Sequence, residues 1–213
     1  MAEAHEMDEL ILYTHPMSRG RTARWMLEEV GLPYRTIWLD YGTTMKAPEY
    51  LAVNPLGKVP ALRHGPAVIT ECAAICAYLA DAFPEAGLAP PPGSAARGAY
   101  YRWLFIAAGP VEAAVIDRVL GVTIAAEQQA MVGYGSYDAM IDMLDAHLAA
   151  NDYAAGDRFS AADIVLGAQI GWGLEFGTLP QRASFAAYAE RLLARPAAQR
   201  ARAIDDAAMT PAG

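Results

Sequence analysis

The sequence is poor in cysteine, in basic residues and in long apolar runs, and each shortage excludes a class of protein. Two cysteines in 213 residues cannot form a disulfide framework, and with four scattered histidines they leave no metal-binding cluster. Sixteen Lys and Arg against twenty-four Asp and Glu give a net charge of −8, which disfavours nucleic acid as a partner. No run of about 18 apolar residues is present, so we expect no membrane-spanning helix. The acidic start lacks the features of a secretory signal, and with the low cysteine content it indicates the cytoplasm.

What the sequence does have is a high apolar content, and its first part alternates between strand and helix signals. Hydrophobic residues make up 54% of the chain, which is enough for a sizeable core. The apolar run at residues 10–13 predicts a strand. A helix follows, because apolar residues recur at the spacing i, i+3, i+4 and i+7: Ala23, Met26, Leu27 and Val30. A second strand at residues 34–39, a hairpin at 58–62 and 67–69, and a helix from Glu71 complete the order βαβ–ββα.

The second half of the chain has a different character. Residues 84–93 are rich in Pro, Gly and Ala and indicate a stiff linker. Residues 94–213 are rich in alanine without the alternation of a strand, which predicts an all-α helical-bundle domain. Ser160 and Asp163 have the spacing of a capping box at the start of one of its helices. We therefore expect two domains, an α/β domain at residues 1–83 and a helical domain at 94–213.

Three local motifs within this order carry a family resemblance: Val59-Pro60, Glu71-Cys72 and the segment at residues 156–163. With them the chain resembles a cytosolic glutathione transferase of the bacterial type, from about residue 10 to about residue 203. The resemblance implies a thioredoxin-like first domain, an all-α second domain, a homodimer and an active site near the domain junction. It also implies a detoxification reaction in which the thiolate of glutathione, the co-substrate, attacks a hydrophobic electrophile without a metal.

The loop after the first strand would then activate the glutathione thiol, which attacks only as the thiolate. A helix N-terminus and a donated hydroxyl both favour that charged form. Ser18, in a His-Pro-x-Ser arrangement that resembles the serine-type transferases, is the first choice, although an ordinary N-cap serine would look the same. Tyr13 is the rival, because the neighbouring Arg19-Gly-Arg21 resembles the tyrosine-type enzymes, yet a core tyrosine on a strand is also expected there. Thr14 is a third candidate.

The resemblance also implies residues that bind glutathione. A cis Pro60 would expose the backbone of Val59 to the cysteinyl part of the ligand, as in strand addition. Glu71 would bind the ammonium of the γ-glutamyl end, and the backbone N–H of Cys72 would bind its carboxylate. The family usually has serine at position 72, and a thiol is a poorer donor, so we expect weaker binding. Three cations would act near the sulfur or the carboxylates, unless they are solvated surface residues: Arg19, Lys46 and Lys58.

The electrophile would bind against an apolar wall of Met17 and residues of the first long helix, although aromatic residues at helical spacing are also typical of a core: Tyr100, Trp103 and Leu104. Two alternatives to a transferase stay open. One is a non-catalytic binding or ligand-carrier module, which the substitution at Cys72 favours. The other is a glutathione-dependent peroxidase or isomerase on the same fold. A thiol-disulfide oxidoreductase is disfavoured, because the loop after the first strand has no cysteine.

Overall fold

The computed structural model describes residues 9–209, whose contacts separate two compact units. The first unit extends to Ala86 and resumes at Arg195, and the second comprises residues 87–194. Residues 1–8 and 210–213 lie outside the described residues, and with them His5 and most of the acidic start. The sequence pattern grouped residues 94–213 in one helical domain, whereas the structure groups the last helix with the first unit.

The first unit is a four-stranded mixed sheet with helices, in the strand order β2–β1–β3–β4. Strands β1 and β2 are parallel, and β3 is antiparallel to both β1 and β4. Its elements are β1 (Leu10–Thr14), α1 (Gly20–Val30), β2 (Arg35–Trp38), α2 (Pro48–Leu51), β3 (Ala61–His64), β4 (Ala67–Thr70), α3 (Cys72–Ala82) and the last helix, α9 (Pro196–Met209). Short 3-10 turns lie at Thr44–Lys46 and Pro84–Ala86.

The local signals of the sequence account for most of this unit. Leu10, Ile11 and Leu12 are all buried, so β1 has no polar alternation. Helix α1 ends where Gly31 takes a left-handed φ of 76°, and the Gly31 N–H donates to the Leu27 carbonyl at 3.0 Å. The predicted βαβ–ββα order is confirmed, with β3 beginning three residues later than the sequence suggested.

The second unit is helical. A π-helical turn at Ala107–Val111 joins its first two helices and contains Pro110, whose missing N–H accounts for the interrupted hydrogen bonding. A 3-10 turn at Ala126–Met131 precedes its third helix. The helices are α4 (Ala95–Ile106), α5 (Glu112–Val119), α6 (Tyr137–Ala150), α7 (Ala161–Glu175) and α8 (Ala183–Leu193).

The predicted capping box at the start of α7 is confirmed, and it does more than cap the helix. Asp163 is fully buried, and its carboxylate accepts from the Ser160 N–H at 2.9 Å. The same side chain also accepts from the Ala154 N–H at 2.6 Å and from the Tyr188 hydroxyl at 2.8 Å. Burial raises the pKa of Asp163, and these hydrogen bonds oppose that rise. One carboxylate therefore joins α7 to the preceding loop and to α8.

Candidate active site

Three chain segments meet at one edge of the sheet in the first unit. Tyr13 of β1 pairs with Ala61, and Ala61 pairs with Thr70 of β4. The loop after β1, the residues before β3 and the residues after β4 therefore all leave the sheet at the same edge. The sequence predicted functional residues in each of these segments, and the strand register brings the segments together.

The loop that follows β1 is held by its own hydrogen bonds. Ser18 Oγ donates to the His15 carbonyl at 2.7 Å and accepts from the Gly20 N–H at 3.0 Å. The Met17 N–H donates to His15 Nδ1 at 3.0 Å. A Cβ on Gly20 would lie 1.7 Å from Thr14 Oγ1, so position 20 has no room for a side chain. The loop thus enters α1 in a closely packed turn with Ser18 at its end.

The three candidate hydroxyls lie in different surroundings. Ser18 is 7% exposed and precedes the first turn of α1. Thr14 is fully buried, with its hydroxyl directed at the His15 carbonyl 3.4 Å away. The ring of Tyr13 packs against Tyr50 with a centroid distance of 5.6 Å, in a cluster with Leu39. Ser18 is thus the candidate placed at the helix start, while the Tyr13 ring takes part in core packing.

The segment before β3 is fixed from both sides. The Val59–Pro60 peptide bond is cis, as the resemblance implies. The Lys58 carbonyl accepts from the Tyr50 hydroxyl at 2.5 Å and from Asn54 Nδ2 at 2.8 Å. These bonds hold the half-buried Val59 beside the sheet edge.

The two candidate lysines differ in what they contact. Lys46 Nζ donates to the carbonyls of Leu56 and Gly57, at 3.0 and 2.9 Å. Its ammonium therefore stabilises the turn that leads to Val59. The side chain of Lys58 is exposed. A role for either lysine at a glutathione carboxylate stays a prediction.

Glu71 begins α3 in an unusual backbone conformation. Its φ of 67° lies in the left-handed region, which a residue with a Cβ adopts at a free-energy penalty of about 1–3 kcal/mol. Such strain is found most often where a ligand or a catalytic group has to be positioned. The Glu71 side chain is exposed, while the Arg19 guanidinium is half-buried. Burial lowers the pKa of Arg19, and the nearby carboxylate of Glu71 opposes that shift.

The thiol of Cys72 points back toward the loop. Cys72 Sγ donates to the Arg19 carbonyl at 3.4 Å, so it links the start of α3 to the start of α1. Burial raises the pKa of this thiol to about 12. Burial also raises the pKa of Cys76, well above that of a free thiol, and Cys76 is fully buried. Both cysteines are therefore neutral at physiological pH and lack the thiolate that redox chemistry requires.

We expect neither cysteine of the native protein to react with iodoacetamide at pH 8. With a pKa of about 12, only about one Cys72 thiol in ten thousand is ionised at that pH. Mass spectrometry should show an unlabelled chain under native conditions and two labels after unfolding in urea. Rapid labelling of the native protein at Cys72 would show that its thiol is accessible and ionised.

The predicted electrophile wall falls on residues with different exposure. Met17 is 53% exposed in the first unit. In the second unit the Arg97 guanidinium lies over the Tyr100 ring at 5.0 Å, and the Trp103 ring packs on His147 at 4.0 Å. Tyr100, Trp103 and Leu104 are at most 3% exposed. The structure thus places these three side chains in packed positions, and their contact with an electrophile stays a prediction.

Two residues make contacts at the candidate site that the sequence did not indicate. The Tyr41 ring packs on His15 at 4.6 Å, and its hydroxyl donates to the Met17 carbonyl at 3.0 Å. Arg21 Nε donates to the Pro16 carbonyl at 2.5 Å. Tyr41 opens a segment without periodicity, and Arg21 stood out only as part of the Arg19-Gly-Arg21 motif, without a contact of its own. Residue spacing does not predict a hydrogen bond from a side chain to a loop carbonyl.

Within residues 9–209, no group of three or more His, Cys, Asp or Glu side chains is arranged to hold a metal ion. No helix of the same range is both long and apolar enough to cross a bilayer.

Comparison with known proteins identifies the family. Residues 17–82 match the profile described as glutathione S-transferase, N-terminal domain, and residues 113–172 match glutathione S-transferase, C-terminal domain. Glutathione S-transferase 3 of Zea mays is 32% identical over 181 residues, covering 74% of this chain and 75% of that protein. The chain is an enzyme of the glutathione S-transferase family.

Other glutathione S-transferases match over more of their length. One from Xanthomonas campestris is 29% identical over 190 residues, covering 86% of this chain and 92% of the relative. A solved glutathione transferase from Methylococcus capsulatus is 31% identical with a TM-score of 0.76, covering 93% and 99% of the two chains. A sphingomonad glutathione S-transferase, solved in complex with glutathione, is 30% identical with a TM-score of 0.76, covering 92% and 98%. The predicted fold class, a thioredoxin-like domain followed by helices, is thereby confirmed.

Proposed function

We propose that this glutathione S-transferase binds glutathione at the sheet edge of its first unit and transfers the thiolate to hydrophobic electrophiles. The observation that carries the proposal is the convergence of the Ser18 loop, Val59 and Glu71 at that edge. Its solved relatives from a sphingomonad and from Sulfitobacter contain bound glutathione, which supports the same ligand here. The reaction is expected to serve detoxification.

The γ-glutamyl end of glutathione suits the start of α3. Its ammonium would pair with the exposed carboxylate of Glu71. Its carboxylate would accept from the backbone N–H of Cys72, where the N-terminus of an eleven-residue helix favours an anion. The left-handed conformation of Glu71 supports this assignment, because strain of this kind is retained where a residue must be positioned. The cysteinyl backbone would pair with Val59, whose segment is held by Tyr50 and Asn54.

The sulfur would then lie beside Ser18 at the start of α1. The Ser18 hydroxyl donates to the His15 carbonyl in the structure, and rotation about the Cβ–Oγ bond would redirect its proton to the sulfur while Oγ keeps the bond from the Gly20 N–H. A donated hydrogen bond and the helix dipole both favour the thiolate, so the thiol proton leaves to solvent. The thiolate lone pair forms a C–S bond with the electrophilic carbon, and the leaving group departs with its bonding electrons.

Isothermal titration calorimetry with glutathione tests the proposal most directly. We expect saturable binding together with turnover of 1-chloro-2,4-dinitrobenzene, followed through the absorbance of the conjugate. Binding without turnover of this or other electrophiles would favour a ligand-carrier module, to which the substitution at Cys72 also points. No binding at millimolar glutathione would contradict the proposal. A homodimer in the cytoplasm remains the expectation for the assembly and its location.

Replacing Cys72 by serine is expected to tighten glutathione binding. A hydroxyl is a stronger donor than a thiol, and a good bond to a carboxylate lowers the dissociation constant roughly tenfold. Cys72→Ala is the matched variant: it removes the thiol and should leave the affinity near that of the parent protein. Equal affinities of Cys72→Ser and Cys72→Ala would show that the side chain at position 72 does not face the ligand.

A further inference from the structure

One arginine of α1 bonds the site loop and the last helix at the same time. Arg21 Nε donates to the Pro16 carbonyl at 2.5 Å, and Arg21 Nη2 donates to Asp206 Oδ1 at 2.7 Å. The Arg21 side chain is only 18% exposed, whereas that of Asp206 is 45% exposed. A single guanidinium thus connects a carbonyl two residues before Ser18 to a carboxylate of α9. This contact adds to those made by Tyr41 and His15 within the same loop.

Other ion pairs between the same helices provide a comparison. Arg200 Nε donates to Glu28 Oε2 at 2.9 Å. Arg195 Nε and Nη2 donate to the two oxygens of the Glu29 carboxylate, at 2.6 and 2.7 Å. These pairs join α9, and the residue just before it, to the later part of α1, away from the loop. Arg21 differs from them because its second bond reaches the loop backbone.

We infer that Arg21 is a positioning residue for the site loop and that Asp206 acts through it. The inference rests on the proposed function, because the loop matters only if Ser18 meets the glutathione sulfur. The bond to the Pro16 carbonyl fixes the peptide that leads into Met17 and Ser18. Asp206 holds the guanidinium in the orientation that this bond needs. The last helix therefore sets where the Ser18 hydroxyl lies, although it contributes no group to the reaction.

The test compares two arginines that join the same pair of helices. Arg21→Met removes the hydrogen bonds to Pro16 and Asp206 and keeps an apolar stem, and we expect kcat/KM for glutathione to fall roughly tenfold, because a small displacement of a reacting group has a large effect on rate. The pKa of bound glutathione, followed through the ultraviolet absorbance of the thiolate, should rise. Arg200→Met breaks a pair that does not touch the loop and should leave both quantities unchanged.

A milder variant and a double mutant separate positioning from loss of structure. Asp206→Asn should shift kcat/KM and the thiol pKa in the same direction as Arg21→Met, and by less. In the Arg21→Met background it should have no further effect, since Asp206 acts through Arg21. Additive effects, or equal behaviour of Arg21→Met and Arg200→Met, would overturn the inference while glutathione binding by the parent protein still stands. If the parent protein binds no glutathione, the proposed function itself fails.

Discussion

Ser18→Ala is expected to lower kcat with 1-chloro-2,4-dinitrobenzene by about tenfold or more, because removing one fully preorganised hydrogen-bond donor costs about 10²–10³ in kcat. The reason is the ionisation of the glutathione thiol, which is mostly neutral at pH 7 unless a donor and a helix N-terminus favour the thiolate. Ser18 supplies the donor at the start of α1. The pKa of bound glutathione should therefore rise in the variant, and the lost activity should return in part as the assay pH is increased.

The matched control is Tyr13→Phe, which removes a hydroxyl from the same loop region and keeps the ring against Tyr50. We expect its turnover to stay within about twofold of the parent protein. An active Ser18→Ala with an inactive Tyr13→Phe would assign the catalytic hydroxyl to Tyr13. If neither variant loses turnover, Thr14 becomes the candidate for the catalytic hydroxyl; its hydroxyl is buried beside Gly20.

Ser18 also has a structural role that the experiment must separate from catalysis. Its Oγ accepts from the Gly20 N–H, and losing such a bond at a helix start lowers the free energy of unfolding by about 1 kcal/mol. A domain with a stability of about 5–15 kcal/mol remains folded after that loss. Urea unfolding of Ser18→Ala should therefore show a small decrease that cannot explain a tenfold fall in turnover. A thiol pKa equal to that of the parent protein would indicate a purely structural serine.

The fold was largely predictable because its signals are local. The apolar run of β1, the left-handed glycine after α1 and the Ser160–Asp163 capping box each depend on neighbouring residues. The start of β3 was predicted too early, because the Lys58 carbonyl bonds the side chains of Tyr50 and Asn54. Tyr50 and Asn54 lie outside every element predicted from the sequence, so these contacts were not foreseeable.

The sequence predicted which segments form the candidate site, but not the geometry within them. Once β1, β3 and β4 are neighbours, Ser18, Val59 and Glu71 must leave the sheet at one edge. The hydrogen bond of Ser18 to His15 and the strain at Glu71 depend on loop geometry that residue spacing does not encode. The partners of α9 lie more than 160 positions away in the chain, so nothing local pointed to its place in the first unit.

The second large effect is expected at the buried pair that joins α1 to α9. Arg24 and Asp205 have side chains 1% and 0% exposed, and Arg24 Nε donates to Asp205 Oδ1 at 2.9 Å. The guanidinium also donates to the hydroxyls of Tyr34 and Thr36 and lies over the ring of Trp38 at 4.7 Å. Removing one member leaves the other charge buried, so Asp205→Ala and Arg24→Leu should each lower the free energy of unfolding by about 3–5 kcal/mol.

The pH dependence of the stability lost in Arg24→Leu shows whether the buried charge of Asp205 causes the loss. Burial already raises the pKa of Asp205, and the charge of Arg24 opposes that rise. Without Arg24 the folded-state pKa rises further above the unfolded value, so at neutral pH the folded protein must either take up a proton that the unfolded chain has already released or bury an unpaired charge. The decrease in the free energy of unfolding should therefore be largest at neutral pH and become smaller as the pH falls toward the unfolded pKa of a carboxyl, about 4. A decrease in the free energy of unfolding that does not change with pH would indicate lost packing alone.

Two further variants compare the buried pair with an exposed pair and with an apolar replacement of both its members. Arg200→Gln breaks the neighbouring pair with Glu28, whose arginine is 54% exposed, and should lower stability by no more than about 1 kcal/mol. In the buried pair, Arg24 Nη2 and Asp205 Oδ2 have no hydrogen-bond partner among the described residues, so desolvation is only partly compensated. Replacing both residues by leucine should therefore restore most of the stability that either single change removes. A double variant as unstable as the sum of the single ones would mean that each side chain stabilises the fold independently, through its own contacts with Tyr34, Thr36 and Trp38.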